Sequence, residues 1–509
     1  MSQEARVVVD LDVPLDRISR HVYGHFAEHL GRCIYDGFYV GEDSEIPNEN
    51  GIRLDVVEAL RELDVPNLRW PGGCFADFYH WQDGIGPKDQ RPSMVNAHWG
   101  DVLENNHFGT HEFMDLCEML GADPYVNGNV GSGTVQEMSD WIEYLTRPGD
   151  SPMSRLRAEN GREEPWTVPF WGVGNEGWGC GGNMSARHFA DEARRFATFA
   201  RDFGDNKLYK IAAGAAVDDL EWTEELMRAA TGCLGCTMSP NRLFHAISFH
   251  YYTRTEMPPL RGDATEFSVD EHYRAMAGAQ DMDRIIKGHV AVMDRYDPNG
   301  TIDLICDEWG TWWNVEEGTH PRFLFQQNTL RDALVASTTL DIFHRHARRL
   351  KMANIAQTVN VLQAMILTDG ETMIKTPTFH VFEMNRMHQD ATSVPVHILG
   401  GPGFRTANST PFDLITASAS VRDGSALVSL SNVDAEEAVD IVLDLRGVDV
   451  AAFEGRLLTA STLQTHNSAQ DPDAVAPVPL DGIERHPRGL RVSLPRHSFA
   501  TITLELATV

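Results

Sequence analysis

The chain has 509 residues, with 43 Lys and Arg against 74 Asp and Glu, a net charge of −31, and 42% apolar and 23% charged residues. Those proportions exclude a disordered or fibrous chain. A surface this acidic repels nucleic acid, so neutral or cationic ligands are the open classes.

No apolar run nears the ~18 residues of a membrane span. The opening Met1-Ser2-Gln3-Glu4-Ala5-Arg6 lacks the basic and then apolar pattern of an export signal. Seven cysteines, an odd number, are scattered at 33, 74, 117, 180, 233, 236 and 306. That usage predicts free thiols in a reducing cytoplasm rather than a disulfide framework, and makes the sequons at Asn183, Asn299 and Asn408 chance matches.

In chain order, Val7–Leu11 reads as a strand ahead of the first domain, expected to pair into the last one. From 18 to 390, short apolar strands alternate with amphipathic helices. The strands are predicted at His21–Phe26, Asn67–Pro71, Pro124–Asn129, Phe170–Asn175, Lys210–Gly214, Ala246–Tyr251, Ile302–Asp307 and Ile355–Val361. Several are apolar at consecutive positions, as strands covered on both faces should be. Between them, Leu54/Val57/Leu60/Leu63, Phe113/Leu116/Cys117/Leu120 and Phe189/Ala193/Phe196/Ala200/Phe203 each make one apolar stripe at helical spacing. Eight strand–helix units predict an α/β fold, a (β/α)8 (TIM) barrel, with an open doubly wound sheet as the second choice. After about 393 the pattern turns to strands alone. Leu414–Val421 and Leu427–Leu430 flank an Asp423-Gly424 hairpin turn, and Val439–Leu445, Leu490–Leu494 and Ala500–Leu506 follow. Residues 391–509, with 1–17, are therefore predicted to form a C-terminal antiparallel β-sandwich.

In such a barrel, chemistry sits where strands end at the C-terminal rim. The fourth predicted strand ends Gly172-Val173-Gly174-Asn175-Glu176-Gly177-Trp178, and the seventh ends Ile305-Cys306-Asp307-Glu308-Trp309-Gly310. Two rim carboxylates on different strands, each beside a Trp, suit glycoside hydrolysis. One carboxyl protonates the departing oxygen while the other attacks or activates water, and Trp faces stack on sugar rings. Any single strand-end Glu is more often solvated or paired with a Lys; the matched pair is what points to catalysis.

The Asn175-Glu176 and Glu308 pair resembles clan A of the glycoside hydrolases. Within it, five stretches resemble family 51, the α-L-arabinofuranosidases: Tyr23–Arg32 (YGHFAEHLGR), Arg69–Gly73 (RWPGG), Gly172–Glu176 (GVGNE), Ser248–Tyr252 (SFHYY) and Asp307–Trp309 (DEW). The resemblance implies an exo-acting, retaining double displacement that releases arabinofuranose from arabinoxylan or arabinan fragments, without metal or cofactor. It implies Glu308 as nucleophile, Glu176 as acid/base, and Arg69 as the partner holding Glu308. It further implies that Glu28, Asn175 and Gln357 bind sugar hydroxyls, that His250 and Tyr252 lie beside the carboxylates, and that Trp99 and Trp312 wall the pocket. Cys74 stands where many relatives have Asn, so one hydrogen bond to the sugar would be weakened to that of a thiol. A homo-oligomer, often a hexamer, is implied by the resemblance alone.

Other readings of the same residues remain open. The same carboxylates could act on β-xylosides or β-glucans, or the scaffold could bind sugar without cleaving it. His25-Phe26-Ala27-Glu28-His29 matches a zinc-peptidase pattern that needs a helix, whereas this stretch reads as a strand end. Gly172–Gly177 fits G-x-G-x-x-G, but Glu176 would face the pyrophosphate. Cys233-Leu234-Gly235-Cys236 has no second pair to complete a zinc site.

Overall fold

Eight parallel strands close a barrel in a computed structural model that describes residues 3–231, 243–255, 261–404 and 411–507. After β1 (Gln3–Asp10), the barrel strands are β2 (Gly24–Phe26), β3 (Asn67–Trp70), β4 (Asp123–Gly128), β5 (Phe170–Val173), β6 (Tyr209–Ala216), β7 (Ala246–Thr253), β8 (Asp303–Thr311) and β9 (Leu350–Ala356). They neighbour one another in sequence order, and β9 pairs back onto β2 with Asn354 opposite Gly24. Closure excludes the open-sheet alternative.

Helices α1 (Leu54–Glu62), α2 (Thr110–Leu120), α3 (Val135–Thr146), α4 (Pro152–Glu159), α5 (Ala186–Phe199), α6 (Leu220–Thr231), α7 (Val269–Tyr296), α8 (Leu330–Arg345) and α9 (Pro377–Asn385) lie between and after these strands. Their apolar stripes are the buried faces: α5 buries Phe189, Ala190, Ala193, Phe196 and Ala197. The Ser185 hydroxyl accepts from His188 N at its start. At its other end Lys210 Nζ donates to Ala197 O and Ala200 O, a cation on the negative pole of the helix. The helix stops there, so Phe203, at the end of the predicted stripe, packs from a loop.

The last barrel strand differs more. It spans 350–356, not 355–361. Val359 and Val361 are buried, but in a turn where Gln357 N donates to Val361 O and Gln363 N to Ala356 O. Buried apolar residues alone do not distinguish a strand from a covered loop.

Later in the chain, β10 (Val396–Leu399), β11 (Ile415–Arg422), β12 (Ser425–Asn432), β13 (Val439–Arg446), β14 (Val450–Leu458), β15 (Gly489–Leu494) and β16 (Ser498–Leu506) build, with β1 and shorter edge strands, two sheets. Val9, Leu443 and Val492 of one sheet share a core with Val428, Leu430 and Ile502 of the other. β1 pairs antiparallel with β10 but parallel with β13, Val7 lying opposite Leu443. The sandwich is thus not purely antiparallel: a strand delivered from the far end of the chain is not bound by a hairpin to run against its neighbour. Asp423 and Gly424 turn between β11 and β12 with φ of 52° and 79°, as a type I′ hairpin requires.

The small polar residues of β11 and β12 face the barrel, not solvent. Asp341 on α8 accepts from Thr416 (2.8 Å) and Ser418 (2.6 Å), Ser337 meets Ser431 (2.9 Å), and His388 sits between Ser420 and Ser429. A buried polar seam of this kind is stable because each of these groups has a partner.

Candidate active site

Glu28, Cys74, Trp99, Glu176, Tyr252, Glu308, Trp312 and Gln357, drawn from six strand ends or the loops beyond them, line one cavity at the C-terminal rim. Its empty volume, open solvent included, is about 330 Å³. Leu30, Leu324 and Leu362 complete the wall. The other three predicted residues, Arg69, Asn175 and His250, are buried behind that lining.

The two carboxylates converge. Glu176, His250 and Glu308 each offer an atom within 4.8 Å of the others. Arg69 Nη1 donates to Glu308 Oε1 at 2.9 Å and Nη2 to Asn175 Oδ1 at 2.6 Å. The Tyr252 hydroxyl donates to Glu308 Oε2 at 2.8 Å. Gly73 lets these groups approach: a Cβ there would lie 2.7 Å from Glu308 Oε1. Glu28 accepts from Phe75 N and Trp99 Nε1 through Oε1 and from Gln357 Nε2 through Oε2. Burial, followed by the Glu308 charge, pushes its carboxyl up to about 7.

Glu176 is held differently. Burial pushes its carboxyl up, and the Glu308 charge adds to that, against the opposing pull of His250. His250 Nδ1 lies 2.8 Å from Glu176 Oε1 and Nε2 lies 3.1 Å from Asp307 Oδ1. Burial disfavours the imidazolium, but Glu308, Asp307 and Glu176 outweigh it and raise His250 to about 10. The Glu176 backbone has φ +37°, a region that costs a non-glycine residue of order 1–3 kcal/mol and clusters at functional sites. Gly179 N and Gly181 N both donate to Glu176 O, and Asn175 N donates to Asp77 Oδ2, so the turn is overdetermined.

Sequence reasoning gives no role to Asp307 or Asp77. Asp307 accepts from Tyr125 OH at 2.8 Å and lies 3.7 Å from Arg69 Nε. Burial opposes its charge, but Arg69 and His250 hold it well below the ordinary carboxylate range. In a regular strand Asp307 and Glu308 would point to opposite faces. Irregular register against both neighbouring strands lets both reach Arg69. Asp77 lies in the loop after Gly73 and accepts from Val130 N and Gly131 N as well as Asn175 N; nothing in the local pattern marks it.

Two expectations are corrected. Cys74 is no thiol: it is bonded to Cys180. The bridge ties the loop after β3 to the loop after β5, and its sulfurs lie 3.9 and 3.5 Å from Glu176 Oε2. The reading of all seven cysteines as free therefore fails for this pair, which a separation of 106 residues hides in the sequence. Cys33, Cys117 and Cys306 are free and buried, and Cys233 and Cys236 lie outside the described residues. The Trp beside each Glu, expected as a sugar platform, is not among the residues that line the cavity. Trp309 packs edge-on against Phe343 and beside Phe382, behind the barrel wall, while Trp178 Nε1 donates to Gly214 O. The strand-end reading of the zinc-peptidase pattern agrees with the structure: residues 25–29 are a strand and its exit rather than a helix, and His29 is engaged by Glu104 and by Trp70 Nε1.

Comparison with known proteins agrees along the whole chain. Residues 59–257 match the family model of the α-L-arabinofuranosidase 1 domain, and residues 307–498 that of the α-L-arabinofuranosidase C-terminal domain. An intracellular exo-α-L-arabinofuranosidase of Bacteroides ovatus is 48% identical over 507 residues, covering 99% of this chain and 96% of the relative. A probable α-L-arabinofuranosidase C of Aspergillus flavus is 31% identical, covering 96% and 95%. The crystal structure of the family 51 arabinofuranosidase from Xanthomonas axonopodis pv. citri superposes with a TM-score of 0.94 at 46% identity, over 98% of this chain and 100% of that one. The Thermotoga maritima α-L-arabinofuranosidase in complex with arabinose gives 0.84 at 30% identity, over 99% and 100%. Shared sequence and shared fold over nearly the full length lead to one conclusion: this chain belongs to the α-L-arabinofuranosidases of glycoside hydrolase family 51.

Proposed function

We propose that the chain is an exo-acting, retaining enzyme that releases terminal α-L-arabinofuranose from arabinoxylan or arabinan oligosaccharides. The separation of the carboxylates carries this reading. Oxygens of Glu176 and Glu308 no more than 4.8 Å apart suit double displacement, where the two groups stand ~5–5.5 Å apart; the inverting geometry needs ~6.5–9.5 Å. Glu308, oriented by Arg69 and Tyr252, attacks the anomeric carbon and forms a glycosyl ester. Glu176 protonates the departing oxygen. Its Oε1 takes the His250 hydrogen bond, so Oε2, against the disulfide, is the oxygen free to carry the proton. Ester formation removes the Glu308 charge that raised Glu176, and Glu176 then deprotonates the incoming water. Glu28, Asn175 and Gln357 bind hydroxyls, and Trp99 and Trp312 wall the ring.

Proton NMR of an aryl α-L-arabinofuranoside digest should show the α-anomer as the first product; β-anomer first would overturn double displacement. The pH profile gives a second check. His250 lowers the Glu176 carboxyl by hydrogen bond and charge, so His250→Gln should move the basic limb of kcat/KM to higher pH. A limb moving down would sink the role given to His250.

The cytoplasm is the proposed compartment, supported by the name of the B. ovatus relative; among the described residues no helix is long and apolar enough to cross a membrane. In that compartment the Cys74–Cys180 bridge is open to reduction. The homo-oligomer implied by family resemblance is proposed with it, and light scattering reads it directly.

A further inference from the structure

Asp307 stands next to the nucleophile in sequence yet behind the site: it is buried and is not among the residues that line the cavity. Both of its oxygens are engaged. Oδ2 accepts from the Tyr125 hydroxyl at 2.8 Å and lies 3.7 Å from Arg69 Nε, while Oδ1 lies 3.1 Å from His250 Nε2. The other ring nitrogen, Nδ1, lies 2.8 Å from Glu176 Oε1 and 3.5 Å from Glu308 Oε2. One imidazole thus joins a carboxylate outside the cavity lining to the two that react. The link has a direction. Burial opposes the Asp307 charge, but Arg69 and His250 keep it ionised, and an ionised carboxylate only accepts hydrogen bonds. His250 Nε2 must therefore carry hydrogen. That leaves Nδ1 as the nitrogen whose proton can be gained or lost, and Nδ1 faces Glu176. As an imidazolium the ring donates to Oε1 and leaves the carboxyl proton to Oε2. As a neutral ring it would accept from Oε1, and the carboxyl proton would be tied up in that bond.

We propose that Asp307 is a positioning residue for the acid/base: by holding the Nε2 proton it keeps His250 an imidazolium, with Nδ1–H on Glu176 Oε1 and the transferable proton confined to Oε2. That the group so positioned is the acid/base rests on the function proposed above; the state of the ring does not. Among the described residues, the titratable groups facing the ring are Glu176 from the loop after β5 and Asp307 and Glu308 from β8. Arg69 of β3 and Tyr125 of β4 stand behind Asp307, and Tyr252 of the ring's own strand donates to Glu308. Burial disfavours the charged ring, and Glu308, Asp307 and Glu176 oppose that. The Glu308 charge disappears when the ester forms, and Glu176 gives up and regains a proton. Asp307 alone of the three keeps its charge through both steps, so the ring holds one state in each.

The first measurement needs no variant at Asp307. In nitrogen NMR of the full chain with isotope-labelled histidine, the His250 ring, identified by its absence from His250→Gln, should carry hydrogen on both nitrogens across the pH range of activity. A neutral ring there, or one with Nε2 bare, overturns the proposal. Asp307→Asn removes the charge, so the ring should titrate at lower pH. Burial raises the Glu176 carboxyl and the charged ring opposes it; an uncharged ring opposes it less, so the carboxyl keeps its proton to higher pH. The basic limb of kcat/KM should therefore rise by about 1 in pH, the scale of losing an opposite charge at this range. Because Asp307 acts through the ring, this shift should not add to that of His250→Gln, and the double variant should show the His250→Gln limb unchanged. Additive shifts, or an unmoved basic limb, overturn the role. If Asp307 only balanced Arg69, its loss would turn Arg69 wholly to Glu308, lower the acidic limb and leave the ring as it was, which also overturns the role. Should Asp307→Asn fail to fold, the wild-type ring spectrum still decides. Glu176→Ala acting equally badly on good and poor leaving groups would instead sink the acid/base reading and leave the ring spectrum standing.

Discussion

Glu308→Ala should lower turnover of 4-nitrophenyl α-L-arabinofuranoside by roughly 10⁴–10⁶-fold, the scale of losing a nucleophile in other covalent enzymes. The substitution removes the atom that bonds to carbon, and no neighbour replaces it. Asp307 is spoken for by Tyr125, His250 and Arg69, and Glu28 by three donors. The space left beside Arg69 should admit a small anion. Added azide should therefore restore part of the rate and yield the β-arabinofuranosyl azide, with inverted configuration. Activity within tenfold of wild type without azide would exclude Glu308 as nucleophile.

Glu176→Ala should divide substrates by leaving group. An arabinoxylan oligosaccharide departs as an alkoxide unless protonated, so its turnover should fall by about 10²–10⁴-fold, the usual worth of general acid catalysis. A 2,4-dinitrophenyl arabinofuranoside needs little help to depart, and its first step should stay within about tenfold of wild type. The second step still lacks its base. Intact-mass spectrometry should then find a pentose esterified to Glu308 during turnover of the activated substrate. Equal losses on both substrates, with no accumulated ester, would remove Glu176 from the acid/base role.

The barrel was legible because eight apolar strands and their helices each obey one period, and the rim carboxylates because they stand where such strands end. What escaped the sequence depends on departures from period. Asp307 joins Glu308 on Arg69 only because the register of β8 is irregular. Trp309, one residue further on, then faces away from the sugar that its position beside Glu308 suggested. The Cys74–Cys180 bridge joins two loops that only barrel closure brings together. The seam that the hydroxyls of β11 make with α8 is not marked in the sequence either, since hydroxyl-rich strands read alike whether water or a helix satisfies them.

The parallel pairing of β1 with β13 also constrains synthesis. Residues 3–10 leave the ribosome long before either partner: β10 at 396–399 follows after roughly 390 more residues and β13 at 439–446 after roughly 430, on the order of 20–90 s at ~5–20 residues per second. The Val7-Val8-Val9 segment spends that interval as an unpaired, aggregation-prone edge while the barrel is free to fold behind it. A nascent chain stalled or cut before 396 therefore leaves this strand without either partner, the surface that a chaperone would have to cover.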